Sequence, residues 1–226
     1  MLMKSIAVLS HSAIAHELGL LQAWADARGH RVTRYFREET WDADDLHRAD
    51  LVIVMGSPNS VADGFTHHSA SGEIAFLQQR LARKEALFGI CYGAQALAIA
   101  LGGSVTRREL ANTGYKAVTL INPSADSPID AGGWALWHED MIDPNSLINL
   151  NQIEVLATDA GAVIAFRSGN AWGVQFHPEV DGDALGRMLS AIGIPEEKWR
   201  EEVAAMSLDD EAHRVRAFAL FDLVTG

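Results

Sequence analysis

One cysteine, two glycines set symmetrically about it, and a distant histidine–glutamate pair are the residues whose types and spacing could do chemistry. The cysteine, Cys91, lies in Gly89-Ile90-Cys91-Tyr92-Gly93. Before it, the apolar run 86–90 reads as a buried strand. After it, the alanine-rich run 94–101 reads as a helix closed by Gly102-Gly103. A strand that turns sharply into a helix brings backbones together where side chains do not fit, and glycine at those two positions meets that need. Such a turn presents the thiol at the amino end of a helix, where unpaired N–H groups and the dipole favour a thiolate. A small buried core cysteine is the plain alternative; the glycines and the strand-to-helix switch argue against it.

A cysteine nucleophile needs a base, and the base needs an orienting group. Of nine histidines, His177 is the best placed, in Trp172-Gly173-Val174-Gln175-Phe176-His177-Pro178-Glu179-Val180. Here a buried strand ends and a glutamate follows the histidine by two. Residues two apart on extended backbone point the same way, and Pro178 holds His177 extended. Glu179 is then able to accept from Nδ1 and leave Nε2 facing Cys91. Spacing alone leaves a turn histidine beside a surface glutamate as an equal reading.

The elements that must position these groups are legible in the hydrophobic pattern. Residues 5–9 form a continuous apolar run, the mark of a strand buried on both faces. A helix follows with Leu18, Leu21, Trp24 and Ala25 on one face and Gly29 as its cap. Residues 31–36 read as a strand, Asp42 as a short helix start, and 51–55 as a third buried strand ending in Gly56-Ser57-Pro58-Asn59-Ser60, a run of turn formers. A helix over about 73–83 precedes the strand of the elbow. This alternation predicts a parallel sheet with helices on both faces, with ligands at the carboxyl ends of the strands. Gly56 to Ser60 and Cys91 share that rim.

Past Gly103, short β-prone pieces (104–106, 116–121, 134–137, 154–158, 162–167 and 172–176) alternate with turns at Asn122-Pro123-Ser124, Asp143-Pro144-Asn145 and Ser168-Gly169-Asn170. They suggest a more antiparallel extension of the same sheet. From Asp183 the chain is helical, with Pro195 in a first turn and Ser207-Leu208-Asp209-Asp210 resembling a capping box. No linker composition or repeat divides the chain, so a single domain over 1–226 is expected, with 192–226 a C-terminal helical extension. That extension could cover the core, a partner or the mouth of the site.

The net charge of −12 and the lack of a dense basic run argue against nucleic acid and anionic membranes as partners. One cysteine excludes an internal disulfide and a multi-thiolate zinc site. Thr66-His67-His68 reads as a solvated pair rather than a metal site, and His11 and His16 flank the first rim loop. The chain starts without a secretory pattern and has no bilayer-length apolar stretch, so a reducing, cytoplasmic setting is the expectation.

Gly89-Ile90-Cys91-Tyr92-Gly93-Ala94-Gln95, followed by Gly173-Val174-Gln175-Phe176-His177-Pro178-Glu179, resembles the class I (triad) glutamine amidotransferase family. The glutaminase domain of GMP synthetase and its stand-alone relatives are most alike, over roughly residues 5–189. The resemblance implies a flavodoxin-like three-layer α/β/α fold and hydrolysis of a glutamine side-chain amide through a γ-glutamyl thioester, without metal or cofactor. It implies Cys91, His177 and Glu179 as the triad, and an oxyanion hole from the N–H of Tyr92 and one from the Gly56-Ser57 loop. Gln95 resembles a substrate-holding position, the alternative being a helix-surface amide. His138, in Trp137-His138-Glu139-Asp140, resembles a segment near the amino-acid end of the substrate, a structural turn being an equal reading. The family often has Gly-Gly-Pro where this chain has Gly56-Ser57-Pro58, and many relatives have a glutamate where this chain runs Ala111-Asn112-Thr113-Gly114-Tyr115. With no phosphate-cradling loop of its own, the chain would hand ammonia to a synthetase in trans. A stand-alone γ-glutamyl peptidase or hydrolase and a non-catalytic regulatory module on the same fold are the competing readings.

Overall fold

The structure is a computed structural model describing residues 2–14, 18–62, 68–121, 129, 132–150 and 152–226, without the side chains of 68–71. Its first half alternates strictly: β1 (Ser5–Ser10), α1 (Gly19–Arg28), β2 (Arg31–Phe36), α2 (Ala43–His47), β3 (Leu51–Val54), α3 (His68–Ala82), β4 (Ala86–Ile90) and α4 (Tyr92–Ala100). The second half runs β5 (Val105–Ala117), β6 (Thr119–Leu120), β7 (Gly133–Ile142), α5 (Pro144–Ile148), β8 (Glu154–Asp159), β9 (Ala162–Ser168), β10 (Ala171–Val174), α6 (Gly182–Ala191), α7 (Arg200–Ser207) and α8 (Asp210–Thr225).

One sheet carries the order β2-β1-β3-β4-β10-β9-β7-β5, with β8 paired to β9 and β6. The first five strands are mutually parallel, in the flavodoxin order with β10 as the fifth. From β10 onward every pairing is antiparallel. The three-layer reading with an antiparallel extension holds.

Alternation along the parallel strands splits the interior in two. Ile6, Val8, Ile53 and Phe88 pack with Leu21 and Trp24 of α1 and Leu220 and Phe221 of α8. Ala7, Val52, Val54 and Leu87 face Leu46 of α2, Phe76 and Leu77 of α3 and the alanines of α4. The C-terminal extension therefore covers the core. Phe221 is fully buried, its ring 5.4 Å from Trp24, and Trp24 Nε1 donates to Asp222 at 2.8 Å. The same extension also reaches the rim, where Ile192 and Ile194 line the cavity holding Cys91.

Several local expectations shift. The pieces at 104–106 and 116–121 belong mainly to one long strand, β5, whose register slips between Arg107 and Asn112. Residues 134–137 continue to Ile142. Asp143 is a helix cap, accepting from Asn145 N, rather than a plain turn. The capping box fails: Ser207 closes α7 with its hydroxyl on Val203 O, and Asp209 takes Tyr115 Oη at 2.6 Å and Arg216 instead of capping α8. The turn at 122–124, and His16 and His67, lie outside the described residues. Among the described residues, no helix is long and apolar enough to cross a membrane.

Candidate active site

The elbow has the geometry its glycines imply. Cys91 sits between β4 and α4 at φ 52° and ψ −109°, a region that costs a non-glycine residue about 1–3 kcal/mol. The surroundings over-determine it. Its N–H donates to Val174 O of β10 at 2.8 Å, and its carbonyl accepts from Ala94 N and Gln95 N at 3.1 and 3.2 Å. A Cβ on Gly89 would stand 2.5 Å from Gly93 C, and one on Gly93 only 1.9 Å from Val54 O. Neither position has room for any other residue. Helix α4 opens at Tyr92, so its first amides have no acceptor within the helix.

His177 follows β10, and its own N–H donates to Ala135 O of β7 at 2.8 Å. Nδ1 lies 2.8 Å from Glu179 Oε1, both side chains being buried. The backbone of Glu179 is fixed in turn by Leu20 N, which donates to its carbonyl at 2.7 Å. Burial disfavours the imidazolium, yet Glu179 and Cys91 together outweigh it and hold the His177 pKa well above the ordinary value. Gly56, just past β3, lies against both groups: a Cβ there would stand 3.1 Å from His177 Cε1 and 3.7 Å from Cys91 Cβ. The structure thus gathers Cys91, His177, Glu179, Gly56 and Tyr92 at the carboxyl ends of three parallel strands.

A cavity of about 140 Å³ opens over Cys91, lined among others by Ser57, Tyr92, Gln95, Trp137 and His138. Gln95 is buried, so it is no surface amide; its Nε2 donates to Asp140 O at 3.3 Å and to Gln175 Oε1 at 3.1 Å. The segment Trp137 to Asp140 is strand, not turn. His138 is buried with Nδ1 2.7 Å from Asp140 O and Nε2 3.2 Å from Asn112 Nδ2. A carbonyl can only accept and an amide NH₂ only donate, so the proton sits on Nδ1. Burial, the largest influence, lowers the His138 pKa to about 4, leaving it neutral at pH 7.

Three contributors escape sequence reasoning. Asp140 Oδ2 accepts from Ser60 Oγ, Val61 N and Ala62 N at 2.7, 2.8 and 3.0 Å, tying the loop after β3 to β7. Asn112 pairs with His138 across β5 and β7, in the stretch that lacks the relatives' glutamate. Arg107 of β5 reaches Glu139 of β7 at the cavity rim. Only the register of an antiparallel pair makes these residues neighbours, and no local pattern announces it. His11 meets Glu38 at 2.8 Å. Among the described residues, no group of three or more His, Cys, Asp or Glu is placed to hold a metal.

On the opposite side of Gly56 lies a second cavity of about 180 Å³. His177, Glu179 and Gly56 border it, and its wall is largely apolar, with Ile14, Met55, Val180, Ala184 and Met188.

A doubly wound sheet with a cysteine elbow beside a histidine–glutamate pair defines a class of α/β proteins built for acyl chemistry at the strand ends. Comparison with known proteins narrows the class. Residues 13–192 match the family model for class-I glutamine amidotransferases, and the chain belongs to that family of enzymes. It is 30% identical over 171 residues to a separately encoded glutamine-hydrolyzing GMP synthase subunit of Picrophilus torridus, covering 74% of this chain and 86% of that one. It is 33% identical over 197 residues to the glutamine-hydrolyzing GMP synthase of Escherichia fergusonii, covering 78% of this chain but 35% of that one. Against the GMP synthase of Pyrobaculum aerophilum it is 31% identical over 163 residues, covering 67% of this chain and 29% of the other. The chain thus spans about a third of these longer synthases. A glutamine amidotransferase from Thermotoga maritima shares the fold with a TM-score of 0.85 at 20% identity, covering 100% of this chain and 99% of that one.

Proposed function

We propose that this chain hydrolyses the side-chain amide of glutamine through a triad of Cys91, His177 and Glu179. The observation that carries the reading is His177, held by Glu179 at 2.8 Å and raised in pKa by Cys91 beside the gap at Gly56. The Cys91 thiolate attacks the γ-carbonyl, forming the S–C bond and a tetrahedral oxyanion. Amides of Tyr92 and of the Gly56-Ser57 loop take up the oxyanion charge; a donor of this kind contributes about 3 kcal/mol. The C–N bond then breaks as the His177 imidazolium gives its proton to the leaving nitrogen. Ammonia departs and a γ-glutamyl thioester remains. His177 next accepts a proton from water, hydroxide adds to the thioester, and the C–S bond breaks to give glutamate and the starting ion pair.

In this reading Gln95 and His138 shape the substrate side of the cavity rather than move protons, because His138 is neutral and its ring nitrogens are engaged. Arg107 and Glu139 present opposite charges at the rim, which suits the α-carboxylate and α-ammonium of an amino acid. The Picrophilus relative is named as one subunit of its synthase, and this supports delivery of ammonia to a synthetase in trans. We take residues 1–226 as one working unit, since α8 fills the same core as α1. A reducing, cytoplasmic compartment suits its free thiol.

A second reading has its own observation. The apolar cavity beyond His177 lies beside the group that protonates the leaving nitrogen, and it favours γ-glutamyl amides carrying an apolar amine. One experiment addresses both readings. Exposure to 6-diazo-5-oxo-norleucine followed by mass spectrometry should give one adduct, on Cys91, with equal ammonia and glutamate released from glutamine by untreated protein. Faster release from N-alkyl γ-glutamyl amides than from glutamine supports the second reading. Neither adduct nor turnover would sink both and leave a non-catalytic binding module.

A further inference from the structure

The oxyanion loop has a weakness built into it. Gly56 must lack a side chain to leave room for His177 and Cys91, and a glycine backbone rotates more freely than any other. Something has to fix the peptide plane that leads into the loop. Arg37, immediately after β2, is only 2% exposed, and its Nη2 donates to Met55 O at 3.0 Å. A peptide group is planar, so holding the Met55 carbonyl toward Arg37 aims the Gly56 N–H the opposite way. The same guanidinium lies 4.3 Å from the centroid of the Tyr92 ring. Arg37 therefore touches both walls of the hole at once: the residue before Gly56 and the residue after Cys91. Glu73 of α3, fully buried, places Oε2 3.7 Å from Arg37 Nε and supplies the opposing charge.

We propose that the buried Arg37–Glu73 pair is the positioning device of the oxyanion hole, joining the Met55–Gly56 peptide to Tyr92 through one planar cation. The proposal rests on the reading of Cys91 as nucleophile and of these amides as oxyanion donors. Arginine suits the task where lysine does not, because a guanidinium stacks on a ring while its fork donates in plane. Both residues are positioning residues, since neither reaches the reacting atoms.

The test separates the hole from the nucleophile. Alkylation of Cys91 by iodoacetamide displaces iodide at a saturated carbon and develops no oxyanion, whereas amide hydrolysis does. For Arg37→Met we expect kcat on glutamine to fall about a hundred-fold, the scale of losing one oxyanion donor. KM and the alkylation rate should stay close to wild type. Arg37→Lys and Glu73→Gln should fall in between, and they carry the test if Arg37→Met does not fold. A parallel fall of kcat and alkylation, or an unchanged kcat, overturns the proposal.

Were the wild type inactive on glutamine, the functional reading would fail separately, and the hole would still be measurable. The aldehyde 5-oxopentanoate forms a thiohemiacetal whose oxygen occupies the oxyanion position. Protection of Cys91 from iodoacetamide by this aldehyde in wild type, lost in Arg37→Lys, supports the device. Equal protection in both, or none in wild type, overturns it.

Discussion

Two buried histidines flank Cys91, one from each half of the sheet, and their surroundings give them opposite character. His177 comes from the parallel half, where Glu179 and Cys91 outweigh burial and hold the ring protonated. His138 comes from the antiparallel half, where its partners are a carbonyl and a side-chain amide, and burial keeps it neutral. The same side chain at similar depth is thus a proton carrier in one wall and a wall element in the other. A carboxylate in hydrogen-bond contact makes the difference, because only a nearby opposite charge can repay the desolvation of an imidazolium.

The comparison breaks most sharply if Glu179 is neutralised. In Glu179→Gln the His177 ring loses its counter-charge and the group that fixes its tautomer, and kcat on glutamine should fall about 10³- to 10⁴-fold. The measurement is steady-state ammonia release, with circular dichroism as the folding control. A loss below about tenfold would reduce Glu179 to a structural partner. His138→Phe should leave the pH profile of kcat in place and act on KM, because the neutral ring contributes shape rather than protons. A shifted pH profile in that variant would give His138 a proton-transfer role after all.

Acid should separate the two rings. The unfolded chain binds a proton at His138 near the ordinary pKa of 6.5, while the folded chain resists until about pH 4. Between those values the unfolded state holds more protons, so this group's contribution to stability is present above about pH 6.5 and is lost as pH falls toward 4. His177 has the opposite sign: its contribution is present below the ordinary histidine value and is lost as pH rises through its raised folded value. Nitrogen-15 NMR of labelled histidine should show an Nδ1–H neutral ring and a doubly protonated ring side by side at pH 6. Two neutral rings there would refute the assignment.

The two halves also differ in how far they can be read from sequence. Runs such as Leu51 to Val54 and Ala86 to Ile90 are buried on both faces, so composition alone marks them, and parallel order follows from alternation with helices. Cys91 and its glycines are legible for the same reason: the constraint is local, a Cβ clash within five residues or against the next strand. His177 and Glu179 are two residues apart, again local. The antiparallel wall depends on which residue of β5 opposes which residue of β7. Asn112 faces His138 only because the register slips after Arg107, and nothing within β5 itself encodes that slip. Arg37 is hidden for a different reason: charged residues are seldom fully buried without a partner, and its partner Glu73 is on another element.

The smallest effect probes the neutral histidine's own support. Asn112 Nδ2 serves both His138 Nε2 and Asp159 Oδ2, and Lys116 Nζ donates to Asn112 Oδ1 at 2.8 Å. Asn112→Ala strands a buried ring nitrogen without its donor, which costs about 1–3 kcal/mol. Lys116 still reaches Asp159 at 3.0 Å, so that carboxylate keeps a partner and the loss should fall at the lower end. Denaturant melts measure it. If His138 belongs to the wall and not to the proton path, Asn112→Ala should lower stability while kcat under saturating glutamine changes little. A fall in kcat matching that of Glu179→Gln would instead show that the antiparallel half takes part in the chemistry, and the contrast between the two histidines would not stand.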